Sequence, residues 1–512
     1  MAHSLFARKP VAMLLEEVRR DDRLRRVLGP WQLTSLGVGA VIGAGIFVST
    51  GAVARQTAGP ALMLSYAVAG LACVFAALCY AEFASMVPAA GSAYTYAYAT
   101  LGELFAWIIG WDLTLEYAVS SATVATGWSG YFQSLLGAFG LHLPPGLAGP
   151  AVDYDPALGR LVATGAWLNL PALAATALVT IILVLGIRES AGLNTVLVAL
   201  KVTAVLFVIV VGSFYVDPRN WHPFAPYGYT GLTAFGHMVL GQADVGGRPL
   251  GMLAGAALAF FAYIGFDSVS THAEEARRPE RDVPLGLIAS LVVCTTLYIA
   301  VVAVLTGMVP YDQLDLAAPV ADAFGRVGLR WAQVILALAG VAGITSVMLV
   351  TMLSQARVLL AIARDGLLPR SFFGAVHPRF RTPWKSTIVT GVFVGALAAF
   401  LPINVLLTLV NMGTLLAFVI VCAAVLVMRR TDPGVHRPFR VPFVPLVPIL
   451  GIVSCLLLMF SLPPENWLRL LVWAAIGLAI YFGYGRRRSI LAQPARPDPV
   501  EAEPEPRGLG AA

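Results

Sequence analysis

GVGAVIGAGIF, residues 37–47, sets Gly37, Gly39, Gly43 and Gly45 into the middle of an apolar run. One reading is close helix packing, because Gly39 and Gly43 form a GxxxG pair. A single packing face does not need four glycines, however, and the cluster also makes an unwound segment sterically easy. A second run, FFAYIGFDSVSTHAEE (260–275), carries Gly265 at mid-span with Asp267 close behind it. An acid at that depth is expensive unless it faces protein or water. Interrupted hydrophobic segments at corresponding places in two halves are the best sequence pointer to a transporter site. The two stretches predict an all-α membrane protein in which helices 1 and 6 are broken.

The composition around them agrees. The 512 residues are 58% hydrophobic and 12% charged, against about 25% charged in an ordinary soluble domain. The net charge of +6 does not indicate a nucleic-acid partner, since the basic residues sit in short clusters between apolar runs. Cys73, Cys79, Cys294, Cys422 and Cys455 all lie inside apolar runs, with neither a disulfide framework nor metal spacing. No cofactor and no obligatory protein partner is implied.

A spanning helix needs about 20 mainly apolar residues. Twelve candidates follow: 32–55, 60–87, 93–124, 171–187, 191–215, 251–272, 285–309, 332–362, 384–401, 404–428, 443–462 and 467–485. With the N-terminus inside, the cytoplasmic side holds Arg8, Lys9, Arg19, Arg20, Arg23, Arg25, Arg26, Arg188, the 277–281 and 364–385 clusters, Arg429, Arg430, Arg437, Arg440 and Arg486 to Arg488. The outside holds only Arg55, Arg160, Arg219, Arg248, Arg326, Arg330 and Arg469. That asymmetry places both termini in the cytoplasm of a plasma-membrane protein. The breaks in spans 1 and 6 suggest two inverted five-helix repeats with two helices appended. The expected organisation is a cytoplasmic amphipathic arm on the lipid bilayer (1–30), a transport core (31–430), spans 11 and 12 (431–485) and a disordered cytoplasmic tail (486–512). Residues 126–170 and 216–250 form two long outside loops.

The breaks imply a chemistry. A half-helix starting near Gly45 offers free N–H groups and a positive dipole end to a carboxylate. A half-helix ending near Ala262 to Ile264 offers free carbonyls to an ammonium. Together they match the zwitterion of an α-amino acid.

The chain resembles the amino acid–polyamine–organocation superfamily, and within it bacterial members of the cationic amino acid transporter family. The resemblance rests on LGVGAVIGAGIFVSTGAVA (36–54), GSAYTYAYATLGELFAWIIGWDLTLEYAV (91–119), FFAYIGFDSVSTHAEEARRPERDVPLGLIAS (260–290), QARVLLAIARDGLLP (355–369) and RPFRVPFVPLVPILG (437–451), in that order along nearly the whole chain. It implies the five-plus-five fold and the transport of amino acids. It implies that Ile42, Gly43, Ala44 and Gly45 hold the substrate carboxylate, that Phe261, Ala262 and Ile264 hold the amine, and that Phe266 packs over the substrate as a gate. Similar members often carry Thr or Ser where this chain has Ala44.

Several single residues admit two readings. Lys201 lies about 16 Å from the inner end of span 5, too deep for comfortable snorkelling. It is either a structural cation or a group that binds and releases a proton during transport. The resemblance favours the second, because similar members carry a lysine here in place of a bound sodium ion. Protons are then the coupling partner. Glu116, with Asp112 one turn before it, is either a buried acid bonded to a neighbouring helix or a pocket acid near the substrate amine. Thr351 faces the substrate side chain by resemblance, or bonds its own helix backbone. Two other functions compete. An exchanger or sensor would bind amino acids without net accumulation. An intramembrane serine protease could use Ser129 of GWSG (127–130), but the one histidine near a span, His272, lies at the opposite membrane face.

Overall fold

The computed structural model describes residues 5–10, 28–86, 92–155, 157–186, 191–234, 237–271 and 276–492. The expected amphipathic arm and the tail from Gln493 onward lie largely outside these residues. Of the arm, residues 5–10 and 28–30 are described; residues 5–10 contain no helix.

The first apolar run begins with α1 (Pro30–Val41), whose opening proline needs no N–H partner in the first helical turn. It then unwinds over Ile42 and Gly43 and resumes as a π-helical turn, Gly45–Ser49, and α2 (Thr50–Val53). α3 (Leu62–Met86) follows. The next helix was expected over 93–124. Instead α4 (Ser92–Thr100) stops at Gly102, whose φ of +101° no helix accommodates, and α5 runs Glu103–Ala138. The reason is a docked segment: Phe6 backbone lies where a side chain at Gly102 would project. Glu103 N donates to Ala7 O and Leu104 N to Leu5 O. The long loop expected from residue 126 therefore begins after Ala138.

α6 (Leu170–Leu185), capped by Asn169, and α7 (Ala191–Gly212) follow. The second broken run is α8 (Met252–Ala259), a 3-10 turn (Phe260–Tyr263) and α9 (Ser268–Thr271). The remaining helices are α10 (Pro279–Met308), α11 (Pro319–Arg326), α12 (Arg330–Arg364), α13 (Trp384–Phe400), α14 (Ile403–Thr431), α15 (Leu446–Met459) and α16 (Pro464–Ile480). Among the described residues, six runs are long and apolar enough to cross a membrane: Pro30–Met86, Val198–Tyr215, Pro279–Met308, Arg330–Arg364, Ile403–Thr431 and Pro464–Arg488. Four shorter apolar helices accompany them. The first of the six holds 57 residues, about 86 Å at 1.5 Å per residue, far more than one crossing.

The two long loops are not structureless. They carry three antiparallel hairpins: β1 (Val152–Asp155) with β2 (Arg160–Ala163), β3 (Leu232–Ala234) with β4 (His237–Leu240), and β5 (Gln242–Ala243) with β6 (Pro249–Leu250). All three gather at one end of the molecule. At the other end, residues 486–492 were expected to be disordered but turn back onto the bundle. The Ser489 hydroxyl donates to Glu103, and Ile490 N donates to Asp365 O at 3.1 Å.

In the bundle α10 packs on α1 and α3, and α5 lies between α12 and α14. The glycines of 37–47 explain how α1 becomes central. A Cβ on Gly37 would stand 2.7 Å from Ser290 Cβ of α10. One on Gly39 would collide with Val198 of α7, one on Gly43 with Val347 of α12, and one on Gly45 with Ala262. Each glycine admits a different neighbour, so Gly39 and Gly43 do not form a one-partner GxxxG face.

Candidate substrate site

The break in the first run leaves carbonyls without helical donors, and each has a traceable fate. Val38 O still accepts from Ile42 N at 2.8 Å. Gly39 O, which would have accepted from Gly43 N, accepts instead from Lys201 Nζ at 3.0 Å. Ala40 O faces Gly265, where a Cβ would come within 3.0 Å of it. Val41 O accepts from the Tyr298 hydroxyl at 2.8 Å. Beyond the gap Ile46 N and Phe47 N both return to Gly43 O at 3.2 Å. The N–H groups of Gly43, Ala44 and Gly45 precede the first turn and have no preceding turn to bond.

The second break is made by Ile264, extended at ψ 129°, and Gly265 at φ +113°. The positive φ and the nearby Ala40 carbonyl together require glycine there. Ahead of the gap, Ile264 N bonds Phe261 O at 3.2 Å, and the Ala262 carbonyl lies 3.1 Å from the same Tyr298 hydroxyl. Tyr298 thus stands between the two breaks. Two other phenols serve the resumed half of the first run: Tyr66 donates to Gly45 O at 3.2 Å and Tyr131 to Phe47 O at 2.6 Å. None of the three was singled out in the sequence. The signal was available, since a tyrosine deep in an apolar run must bury a hydroxyl that finds a partner.

Of Ile42, Gly43, Ala44 and Gly45, the last touches the Ala262 backbone, while Gly43 faces Val347 of α12. Phe266 is fully buried, its ring centroid 6.1 Å from Tyr80 and 5.2 Å from Phe418. Thr351 bonds its own helix at Val347 O, 3.1 Å, and accepts from Ser121 on α5 at 2.8 Å. Glu116 accepts from Arg469 Nη2 of α16 at 2.7 Å and from Gly413 N of α14 at 3.1 Å. Arg469 was assigned to an outside loop, but its side chain reaches into the bundle. Lys201 is 2% exposed, and its stem lies against Gly343 of α12. Ser129 donates to Asn169 Oδ1 at 2.6 Å and accepts from Gln133 Nε2 at 2.9 Å. His272 lies outside the described residues.

Two cavities flank the breaks. A vestibule of about 660 Å³ opens at the hairpin end, lined among others by Arg55, Tyr154, Asp244, Arg248, Leu258 and Thr408. A clasp between two loops roofs it. The Arg248 guanidinium sits 3.4 Å from the Tyr154 ring centroid, and the Tyr154 hydroxyl donates to Asp244 Oδ2 at 2.9 Å. Burial, and next the Asp244 bond, push the Tyr154 hydroxyl up to about 12. The second cavity, about 10 Å³, is bordered by Glu116, Tyr117, Ile264 and Asp267. At the opposite end the N-terminal segment is tied to the bundle: Lys9 pairs with Asp365 at 3.3 Å, Tyr94 donates to Asp365 at 2.6 Å, and Arg8 pairs with Asp432 at 3.2 Å.

Comparison with known proteins gives this architecture a family. Residues 28–479 match the profile of a family described as amino acid permease. The chain is 46% identical to the methylthioribose transporter of Bacillus subtilis (strain 168) over 488 residues, 95% of this chain and 99% of that protein. It is 45% identical to the branched-chain amino acid permease BcaP of the same organism over 494 residues, 96% of this chain and 100% of the relative. To the vacuolar cationic amino acid transporter 4 of Arabidopsis thaliana it is 39% identical over 441 residues, 84% of this chain and 68% of that one. The chain is a multi-pass membrane protein that belongs to the amino acid permease family.

Proposed function

We propose that this protein is a secondary active permease that carries α-amino acids across the plasma membrane by alternating access, coupled to protons. The observation that carries the reading is the contact of the two breaks at Gly45 and Ala262. Amides without helical partners lie on one side, and on the other a turn whose last carbonyls each keep a second lone pair beside the bond they already accept, which suits a carboxylate and an ammonium on one small molecule. In this reading Ile42, Gly43, Ala44 and Gly45 take the carboxylate, while Phe261, Ala262 and Ile264 take the amine. Phe266 gates the site, Thr351 and Glu116 border the substrate, and Lys201 carries the proton.

The relatives' names divide between amino acids and methylthioribose at nearly equal identity. Methylthioribose is a neutral thio-sugar with neither a carboxylate nor an ammonium, so the paired breaks favour an amino acid. The wider organisation belongs to the same proposal: twelve spans, with spans 1–5 and 6–10 as inverted repeats, 431–485 as two added spans, and both termini cytoplasmic. An open vestibule at one end is what alternating access requires of one of its states. Counterflow of labelled substrate into proteoliposomes tests the reading with leucine, alanine, arginine and methylthioribose as the panel. Exchange of amino acids supports it. Exchange of methylthioribose alone would overturn the substrate class, and binding without exchange would make the protein a sensor.

A further inference from the structure

Away from Lys201, a second ionisable group of side chains is buried between α5, α14 and α16. Asp112 and Glu116 lie one helical turn apart on α5 and are 5% and 2% exposed. Both press on the α14 backbone at Gly413, where a Cβ would collide with the Asp112 carboxylate and stand 2.6 Å from Glu116 Cγ. Arg469 enters from α16 and gives Glu116 Oε1 a single 2.7 Å bond. The bonding then stops. Asp112 Oδ1, Glu116 Oε2 and Arg469 Nε and Nη1 are buried without a hydrogen-bond partner among the described residues.

The formal charges do not cancel. Two carboxylates and one guanidinium leave one negative charge, and an uncompensated charge in a dry interior costs several kcal/mol. Among the described residues, the elements packed around the group do not supply the missing cation. α14 contributes Gly413 and Thr414, α3 contributes Tyr80, and the second break contributes Asp267, another acid, across the small cavity that Glu116 and Tyr117 border. One proton corrects both defects. It brings the group to neutrality and converts an acceptor-only carboxylate into a donor that can face the other carboxylate one turn away.

We propose that Asp112, Glu116 and Arg469 form a proton-binding site that holds one exchangeable proton on the carboxyl pair, separate from Lys201. The two sites address different breaks. Lys201 holds the carbonyl of Gly39 ahead of the first break. Glu116 borders the cavity beside Ile264 at the second and is bonded to α14 and α16. A proton gained or lost here changes what α5 offers to those two helices, whichever substrate is carried.

Infrared difference spectroscopy on the purified full-length protein in liposomes tests the site without a transport assay. The wild type should show a protonated-carboxyl stretching band near neutral pH that shifts in heavy water. Asp112→Asn or Glu116→Gln should remove it, and Lys201→Ala should leave it in place. Each variant is first checked for wild-type thermal unfolding, and two carboxylate variants are used so that one that misfolds does not end the test. Absence of the band in the wild type, its persistence in both carboxylate variants, or its loss in Lys201→Ala would each overturn the proposal.

Discussion

Gly45 lies so close to Ala262 that a Cβ on the glycine would overlap the Ala262 Cα and stand 3.1 Å from its nitrogen. The contact joins the two interrupted runs where the helical ladder of each is broken. It also changes what a substitution at Gly45 does. A side chain there pushes the second run away, in addition to any effect on a carboxylate. Gly45→Ala should therefore abolish substrate binding while the protein still inserts and purifies as one species. The measurement is substrate-dependent thermal stabilisation of the purified variant. Near-normal stabilisation by the usual substrate would remove Gly45 from the site.

Tyr298 couples the same two runs through its hydroxyl. Tyr298→Phe keeps the ring contacts with Tyr66 and Tyr263 and removes only the donor to Val41 O and Ala262 O. Leaving buried carbonyls unpaired costs about 1–3 kcal/mol, so affinity should fall roughly 5- to 150-fold at 1.4 kcal/mol per tenfold. Titration calorimetry reads this directly, and an unchanged Kd would show that the hydroxyl does not shape the site.

The clasp over the vestibule gives a test of sidedness. Ala157→Cys and Val245→Cys lie in the two loops that carry β1–β2 and β5–β6, and both positions are exposed. The five native cysteines are buried, so they add little background. Both introduced thiols should react with an impermeant maleimide on intact cells. Labelling only after lysis would invert the orientation. Tyr154→Ala removes both the Arg248 stacking and the Asp244 bond, and should raise the labelling rate at Val245→Cys. Tyr154→Phe keeps the ring under Arg248 and should raise it less.

The sequence showed where the chain breaks and mistook part of the cause. Four glycines looked like an easily unwound stretch, yet none of them takes a positive φ. They are small because α7, α10, α12 and the second broken run all approach α1, and such packing is invisible in a linear pattern. Gly265 was legible as a break because one glycine beside Asp267 in an apolar run has few other uses. The start of α5 was misplaced by ten residues, since the cause is Phe6, a residue almost a hundred positions away. Glu116 could be ranked as a buried acid, but its partner could not be named. Arg469 counts as a loop residue to any rule that reads charge and hydropathy alone. The tyrosine donors went unnoticed because a phenol reads as apolar in a hydropathy scan, while its one polar atom decides how a freed carbonyl is satisfied.

The proposed proton coupling turns on Lys201 and Gly39. The carbonyl that Lys201 caps lost its helical donor to the break, so the ammonium supplies a bond that the geometry of α1 requires. The lysine is 2% exposed, and no carboxylate bonds it among the described residues. A sodium ion at the same place would need several oxygen ligands and no neighbouring cation, so no sodium requirement is expected. In the proposed mechanism the bound proton ties α7 to α1 just ahead of the gap. Loss of the proton weakens the donor and loosens the tie, so the titration would bias a conformational equilibrium, as a coupling ion must. Lys201→Ala should abolish uphill accumulation in proteoliposomes under an imposed pH gradient, while exchange of internal for external substrate survives. Wild-type accumulation should follow the pH gradient equally well with and without sodium. Strict dependence on sodium, or full pH-driven accumulation by Lys201→Ala, would show that Lys201 is a structural cation and that the coupling lies elsewhere.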